Sequence, residues 1–185
     1  MRKAILILLT TFPLLQAQAA KTDLLTINPI VGYERVQKTQ PTPHTSSRLI
    51  YGIGAKYGPP ILKVEGEITR GSDSESYPDQ DLTIKETATN LMLGIHSTFN
   101  SGSFLSLYLC GGGHARKVDQ ERTQNDVTTE SDPAVYLSPY AGSGITLNLF
   151  DKVSINGGIT VIFIGHPKAT DLEYQTTFGV SQKFW

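Results

Sequence analysis

The chain has 185 residues, with 16 basic and 17 acidic side chains and a formal net charge of −1. That balance leaves no electrostatic footprint for nucleic acid and no polybasic patch. Cys110 is the single cysteine, which excludes an intrachain disulfide framework.

The N-terminus carries Met1, Arg2 and Lys3 ahead of an uncharged, mostly apolar run from Ala4 to Leu15. Gln16-Ala17-Gln18-Ala19-Ala20 follows, and Ala17 and Ala19 make the Ala-x-Ala pattern of a signal-peptidase site. Residues 1–19 are therefore expected to be a signal peptide, cleaved after Ala19, and residues 20–185 one domain. A membrane anchor is the weaker reading, because about a dozen apolar residues interrupted by Pro13 fall short of the roughly 20 a spanning helix needs. No cysteine stands at the cleavage point to make a lipoprotein. Removing Arg2 and Lys3 leaves 14 basic against 17 acidic residues, a net of −3.

The remainder of the chain runs in period two, the repeat of a strand with one apolar and one polar face. Leu25, Ile27, Val31 and Tyr33 mark the first strand. In the second, Leu49, Tyr51, Ile53, Ala55 and Tyr57 alternate with Arg48, Ile50, Gly52, Gly54 and Lys56. The third sets Leu62, Val64, Gly66 and Ile68 against Lys63, Glu65, Glu67 and Thr69. Leu91, Leu93 and Ile95 mark the fourth, and Leu105, Leu107 and Leu109 the fifth. Val135, Leu137, Ala141, Ile145 and Leu147 mark the sixth, opposite a face of Tyr, Ser, Gly and Thr. Val153, Ile155, Ile159, Val161 and Phe163 carry the seventh, and Leu172, Tyr174, Phe178, Val180 and Phe184 the eighth. Eight strands result, without a helix.

Connector lengths alternate as well. Gln37 to Ser47, Gly71 to Asp81 and Val118 to Asp132 are long and polar, with Ser, Thr, Asp and Pro, and are expected to be exposed loops. Gly58-Pro59-Pro60, Asn100-Ser101-Gly102 and Phe150-Asp151 are tight turns, and Gly165 to Thr170 is intermediate. Short turns on one side and long loops on the other are the asymmetry of outer-membrane barrels, whose short turns are periplasmic. The fold class expected is all-β: a closed eight-stranded antiparallel up-and-down transmembrane β-barrel, integral to the outer membrane, with both termini periplasmic.

Alternation alone leaves open which face is inside, and a secreted barrel of the lipocalin kind would turn its apolar face inward. Two features favour the membrane. The polar faces are rich in Gly, Ser, Thr and Tyr, which suits a narrow lumen. Their charges also nearly balance, with Arg48, Lys56, Lys63, Arg116 and Lys183 against Glu34, Glu65, Glu67 and Glu173. Charges facing one another across a narrow interior must pair, so these nine residues are expected to form a lumen charge network. Tyr33, Tyr51, Tyr57, Phe99, Tyr174 and Phe184 are the expected interfacial aromatics.

The C-terminal stretch from Thr177 to Trp185 resembles the terminal strand of small barrels of the OmpA, OmpX and OmpW type. Thr177, Gly179 and Phe184 match its pattern of a polar residue, a Gly two places on and an aromatic near the end. Gln182 stands where that family usually has an aromatic or apolar residue, and Trp185 extends one residue past the usual terminal Phe. The resemblance implies an assembly signal at Thr177, Gly179, Phe184 and Trp185, read by the barrel-assembly machinery. It also implies a monomer surrounded by outer-membrane lipid and lipopolysaccharide. Pro139 to Ile145 is similar to this superfamily too.

Chemical motifs are sparse. His44, His96, His114 and His166 are scattered, without the spacing that holds a metal on one element, so hydrogen bonding within the lumen is expected of His96 and His114. Cys110 reads as a small packing residue. No Gly-x-Ser-x-Gly elbow is present, and Gly111-Gly112-Gly113 precedes no helix that would make it a phosphate cradle. No cofactor, metal or catalytic residue is expected. The competing reading is a lipid A acyltransferase or deacylase, with His166 and Asp171 near the outer rim; a narrow solute channel is another. A structural or surface-interaction role is the reading that remains.

Overall fold

A computed structural model describes residues 25–38, 42–100, 103–125, 127–164 and 171–184. The expected signal peptide, His166 and Trp185 lie outside those residues. The described residues form nine strands: β1 (Leu25–Lys38), β2 (His44–Tyr57), β3 (Lys63–Tyr77), β4 (Leu82–Phe99), β5 (Leu105–Gln124), β6 (Val127–Glu130), β7 (Ala134–Asn148), β8 (Val153–Ile164) and β9 (Asp171–Phe184). Eight close into a barrel in which each pairs antiparallel with its sequence neighbours. β1 also pairs with β9. β6 is a short extra strand that folds back on the end of β5, from Gln124↔Val127 to Glu121↔Glu130. The barrel is the expected all-β, up-and-down one.

Side chains settle the question of which face is inside. Along β1, Thr26, Asn28, Ile30, Glu34, Val36 and Lys38 are buried, whereas Val31 and Tyr33 are exposed. Leu49, Tyr51 and Ile53 on β2, Leu91, Leu93 and Ile95 on β4, and Leu105, Leu107 and Leu109 on β5 are all exposed. Water would penalise such a surface heavily; hydrocarbon would not. On β3, β4 and β5 the apolar belt stops along one row of paired residues, Ile68, Leu91 and Ala115, whereas β7 carries it on through Leu137 to exposed Val135. The next outward row on β3, β4 and β5 is Arg70, Thr89 and Lys117. Tyr174 pairs with Arg35, and Tyr33 precedes it by two residues on the same outward face of β1, a setting that suits aromatic rings bridging lipid and water.

Two of the three expected long loops are largely strand. β3 and β4 stay paired as far as Tyr77↔Leu82, so only 78–81, including a 3₁₀ turn at Pro78–Gln80, connects them. β5 runs on to Gln124, and β6 pairs with it inside the stretch expected to be the third loop. The first is shortened also, since Lys38 pairs with His44. The polar composition that suggested loops belongs to strands projecting beyond the apolar belt. On β3, Ser72, Ser74 and Ser76 still alternate with Asp73 and Glu75, and hairpin pairing satisfies backbone groups that a loop would leave to solvent. Leu62 precedes β3 as part of the turn, where its N–H donates to the Pro59 carbonyl at 3.0 Å.

Candidate functional site

The lumen contains the chemistry of this protein, because strand alternation sends its polar side chains there from every wall. Near the hairpin end the network centres on Glu34, which is fully buried. Glu34 and Arg48 are direct partners on β1 and β2, and Arg48 Nε donates to Glu34 Oε2 at 2.8 Å. Arg116, from β5 on another part of the wall, pairs with the other carboxylate oxygen. Asn90 Nδ2 donates to Glu34 Oε1 at 3.3 Å, and Asn90 Oδ1 accepts from Arg116 Nε at 3.0 Å. His114 Nε2 lies 3.1 Å from the same Asn90 oxygen.

Each guanidinium then reaches a second acid. Arg48 Nη1 lies 2.7 Å from Glu86 Oε1, and Arg116 Nη1 lies 2.5 Å from Glu173 Oε2. Glu34, Arg48, Arg116 and Glu173, four of the nine expected residues, therefore form one continuous ion-pair chain across the lumen. Glu86 and Asn90 complete it. Sequence reasoning did not single these two out, although their positions on the inward face of β4 were available from its alternation.

Nearer the short turns, Lys56, Glu65 and Glu67 line a separate cavity of about 40 Å³. Glu65 Oε1 accepts from Tyr140 Oη at 2.8 Å, and Oε2 lies 3.0 Å from His96 Nδ1. His96 stacks on Tyr108 with ring centroids 4.7 Å apart, and Lys56 Nζ lies 5.2 Å from the Tyr108 centroid. Of the remaining two, Lys63 is the cross-strand partner of His96, with Nζ 3.4 Å from Thr26 Oγ1, and Lys183 Nζ is 3.2 Å from Asn148 Oδ1.

At the hairpin end the backbone pairing of β2 with β3 stops at Ile50↔Gly71. Above it, side chains join the two hairpins. Lys38 pairs with Asp73 and lies 3.3 Å from Glu75, while His44 Nε2 lies 3.0 Å from Glu75 Oε2. His44 Nδ1 lies 2.8 Å from the Thr42 carbonyl oxygen, so both ring nitrogens are engaged. A cleft of about 910 Å³ between the β3–β4 and β5–β6 hairpins is lined by Asp73, Glu86, Asp119, Glu121, Glu130 and Asp132, with Lys85 as its one basic residue.

Of the expected assembly signal, Thr177, Gly179 and Phe184 lie on β9. Gly179 pairs with Ile30, and a Cβ there would stand 2.7 Å from the Pro29 carbonyl oxygen, so close approach to β1 requires glycine at that position. Of the suggested enzyme pair, His166 and the Asp171 side chain lie outside what the structure describes.

No protein-family model matches the chain, and no curated protein matches it by sequence. Solved structures do match by shape. Neisserial surface protein A is 13% identical with a TM-score of 0.57, the match covering 88% of this chain and 97% of that one. The attachment invasion locus protein Ail of Yersinia pestis is 12% identical with a TM-score of 0.54, covering 85% and 97%. The outer membrane protein OprG of Pseudomonas aeruginosa is 11% identical with a TM-score of 0.54, covering 89% and 96%. These likenesses span the barrel from end to end: the chain has the fold of the small eight-stranded outer-membrane β-barrels.

Proposed function

We propose that this protein is an integral outer-membrane barrel with a closed lumen, serving a structural or surface-interaction role and not catalysis. The observation that carries the reading is the Glu34 network. Its side chains come from β1, β2, β4, β5 and β9 and meet across the lumen, filling the space that a solute would use. Eight strands leave an interior just wide enough for side chains. With an even number of strands, the termini share a side, and the short turns place that side in the periplasm. Lipid and lipopolysaccharide surround the apolar belt. The barrel-assembly machinery reads β9 at Thr177, Gly179 and Phe184, with Trp185 after them. Fractionation with the outer membrane, heat-modifiable migration on gels and no large stable conductance in planar bilayers are the expected results. Recovery as a soluble periplasmic species, or a large stable conductance, overturns the reading.

The surface-interaction half rests on the projecting hairpins and their acidic cleft. Neisserial surface protein A and the attachment invasion locus protein are named for surface roles, and this chain has the same scaffold. An excess of carboxylates favours cationic groups on a partner. Trimming the β3–β4 and β5–β6 hairpins back to the apolar belt tests this half. Loss of cell adhesion supports it. Unchanged adhesion, with envelope weakening only when the whole gene is deleted, assigns the function to the barrel alone.

A further inference from the structure

Three adjacent strands each place one metal-competent side chain at the same level of the lumen. His96 on β4 and Cys110 on β5 are direct cross-strand partners, and Glu65 on β3 lies diagonally across from His96, whose own partner is Lys63. One donor atom from each of Glu65, His96 and Cys110 can be chosen so that all lie within 4.8 Å of one another. We propose that Glu65, His96 and Cys110 form a binding site for a divalent transition-metal ion of the zinc class inside the barrel.

The donor set matches that chemistry. Thiolate, imidazole and carboxylate are the three side-chain ligands zinc uses, at roughly 2.0 to 2.3 Å, so small side-chain rotations would bring these atoms onto one ion. Both Glu65 and Cys110 line the 40 Å³ cavity, which is larger than the roughly 10 to 15 Å³ one water requires and so has room for a fourth, solvent ligand. The surroundings already hold the donors in place. Tyr140 fixes one oxygen of Glu65, and Tyr108 stacks on His96. Gly142 leaves space for the thiol, since a Cβ there would stand 2.9 Å from Cys110 Sγ. Gly94 does the same for Tyr140, whose hydroxyl oxygen would be 2.5 Å from a Cβ.

The cavity also holds a polar atom left to satisfy: among the described residues, buried Glu67 Oε1 has no hydrogen-bond partner. A divalent ion would enter as the Cys110 thiol releases its proton to solvent. The bland alternative, a hydrogen-bonded Glu65–His96 pair beside an inert thiol, predicts no metal affinity.

The test uses the full protein extracted from outer membranes in detergent, incubated with Co²⁺ alone, and a second sample unfolded and refolded with Co²⁺ so that access cannot limit binding. The expected result is one cobalt per chain with a thiolate-to-cobalt charge-transfer band, displaced by Zn²⁺ and lost in Cys110→Ser and in His96→Gln. Heat-modifiable migration verifies that each variant is folded. Tyr140→Phe, which frees the outer oxygen of Glu65, should weaken binding by about 10- to 100-fold. Zinc should also raise the temperature of heat modification in the native protein and not in Cys110→Ser. Absence of the band in both samples overturns the proposal. So does cobalt binding without a thiolate band that survives in Cys110→Ser, which would locate the ion elsewhere, for example in the acidic cleft.

Discussion

Glu34 on β1 accepts from Arg48 on β2, its direct cross-strand partner, and the same carboxylate also meets Arg116 from β5. One buried anion therefore separates two buried guanidiniums. Replacing it by alanine removes the charge between them, although Arg48 keeps Glu86 and Arg116 keeps Glu173. Breaking a buried pair from one side costs about 3 to 5 kcal/mol, so Glu34→Ala should lower stability by that order. Urea unfolding in detergent, followed by gel mobility, measures it. Unchanged stability would show that the network is solvated and does not close the lumen.

The run Gly111-Gly112-Gly113 makes opposite predictions at adjacent positions. A Cβ at Gly112 would stand 2.1 Å from the Leu93 carbonyl oxygen and 2.5 Å from Gly94 Cα, both backbone atoms that cannot step aside cheaply. At Gly113 it would meet nothing within 4 Å. Gly112→Ala should cost about 1 to 3 kcal/mol through overpacking. Gly113→Ala should stay within about 0.5 kcal/mol of the native protein. Parallel unfolding curves for the two variants decide the matter, and equal losses would contradict it.

The apolar belt can be tested from outside. Leu93 is exposed and pairs with Gly66 and Gly113 on its two sides, well within the belt, whereas Thr87 lies beyond the Arg70–Thr89 row on the same strand. Leu93→Arg should cost about 2 to 4 kcal/mol in a bilayer, and Thr87→Arg about 0 to 1. Folding into lipid vesicles, scored by heat-modifiable migration, gives both values. Equal tolerance of the two arginines would mean that Leu93 does not face lipid.

Beyond the belt, His44 and Glu75 join two hairpins whose backbones no longer pair. The Thr42 carbonyl, and then Glu75, lift His44 above its ordinary value of 6.5, against a smaller opposing effect of burial and of Lys38. Glu75 is held down to about 2: burial alone pushes it up, and hydrogen bonds from Ser46, Tyr77 and Lys38, with the Lys38 charge, together outweigh that. The His44 contribution is complete below its unfolded value and is lost as pH rises through its raised folded value. The Glu75 contribution is complete above its unfolded value of about 4.5 and is lost as pH falls toward 2. The contact should therefore be firmest in mildly acidic solution and loosen above neutrality, leaving Lys38 with Asp73. NMR titration of His44 should give a midpoint above 6.5, falling in Glu75→Gln. A native midpoint at or below 6.5 sinks this account.

Much of the barrel was legible in the sequence because a strand's two faces are written locally. Leu49, Tyr51 and Ile53 against Arg48, Ile50 and Gly52 define both faces of β2 without reference to any other strand, and Gly58-Pro59-Pro60 ends it. Period two also placed Glu34, Arg48, Arg116 and Glu173 on inward faces. Composition misled where the strands leave the belt: Ser72-Asp73-Ser74-Glu75-Ser76 reads as loop, yet each of these residues pairs with β4. A polar hairpin in water has no apolar face to announce it, and only its partner strand makes it one. Register and closure decided everything that crosses the lumen. Glu34 meets Arg116 because strands distant in sequence are brought to the same height of a narrow cylinder, and Glu65 lies beside His96 and Cys110 because the register of neighbouring strands sets them level. No local spacing encodes that height, since a shift of two residues along one strand keeps every face and changes every neighbour.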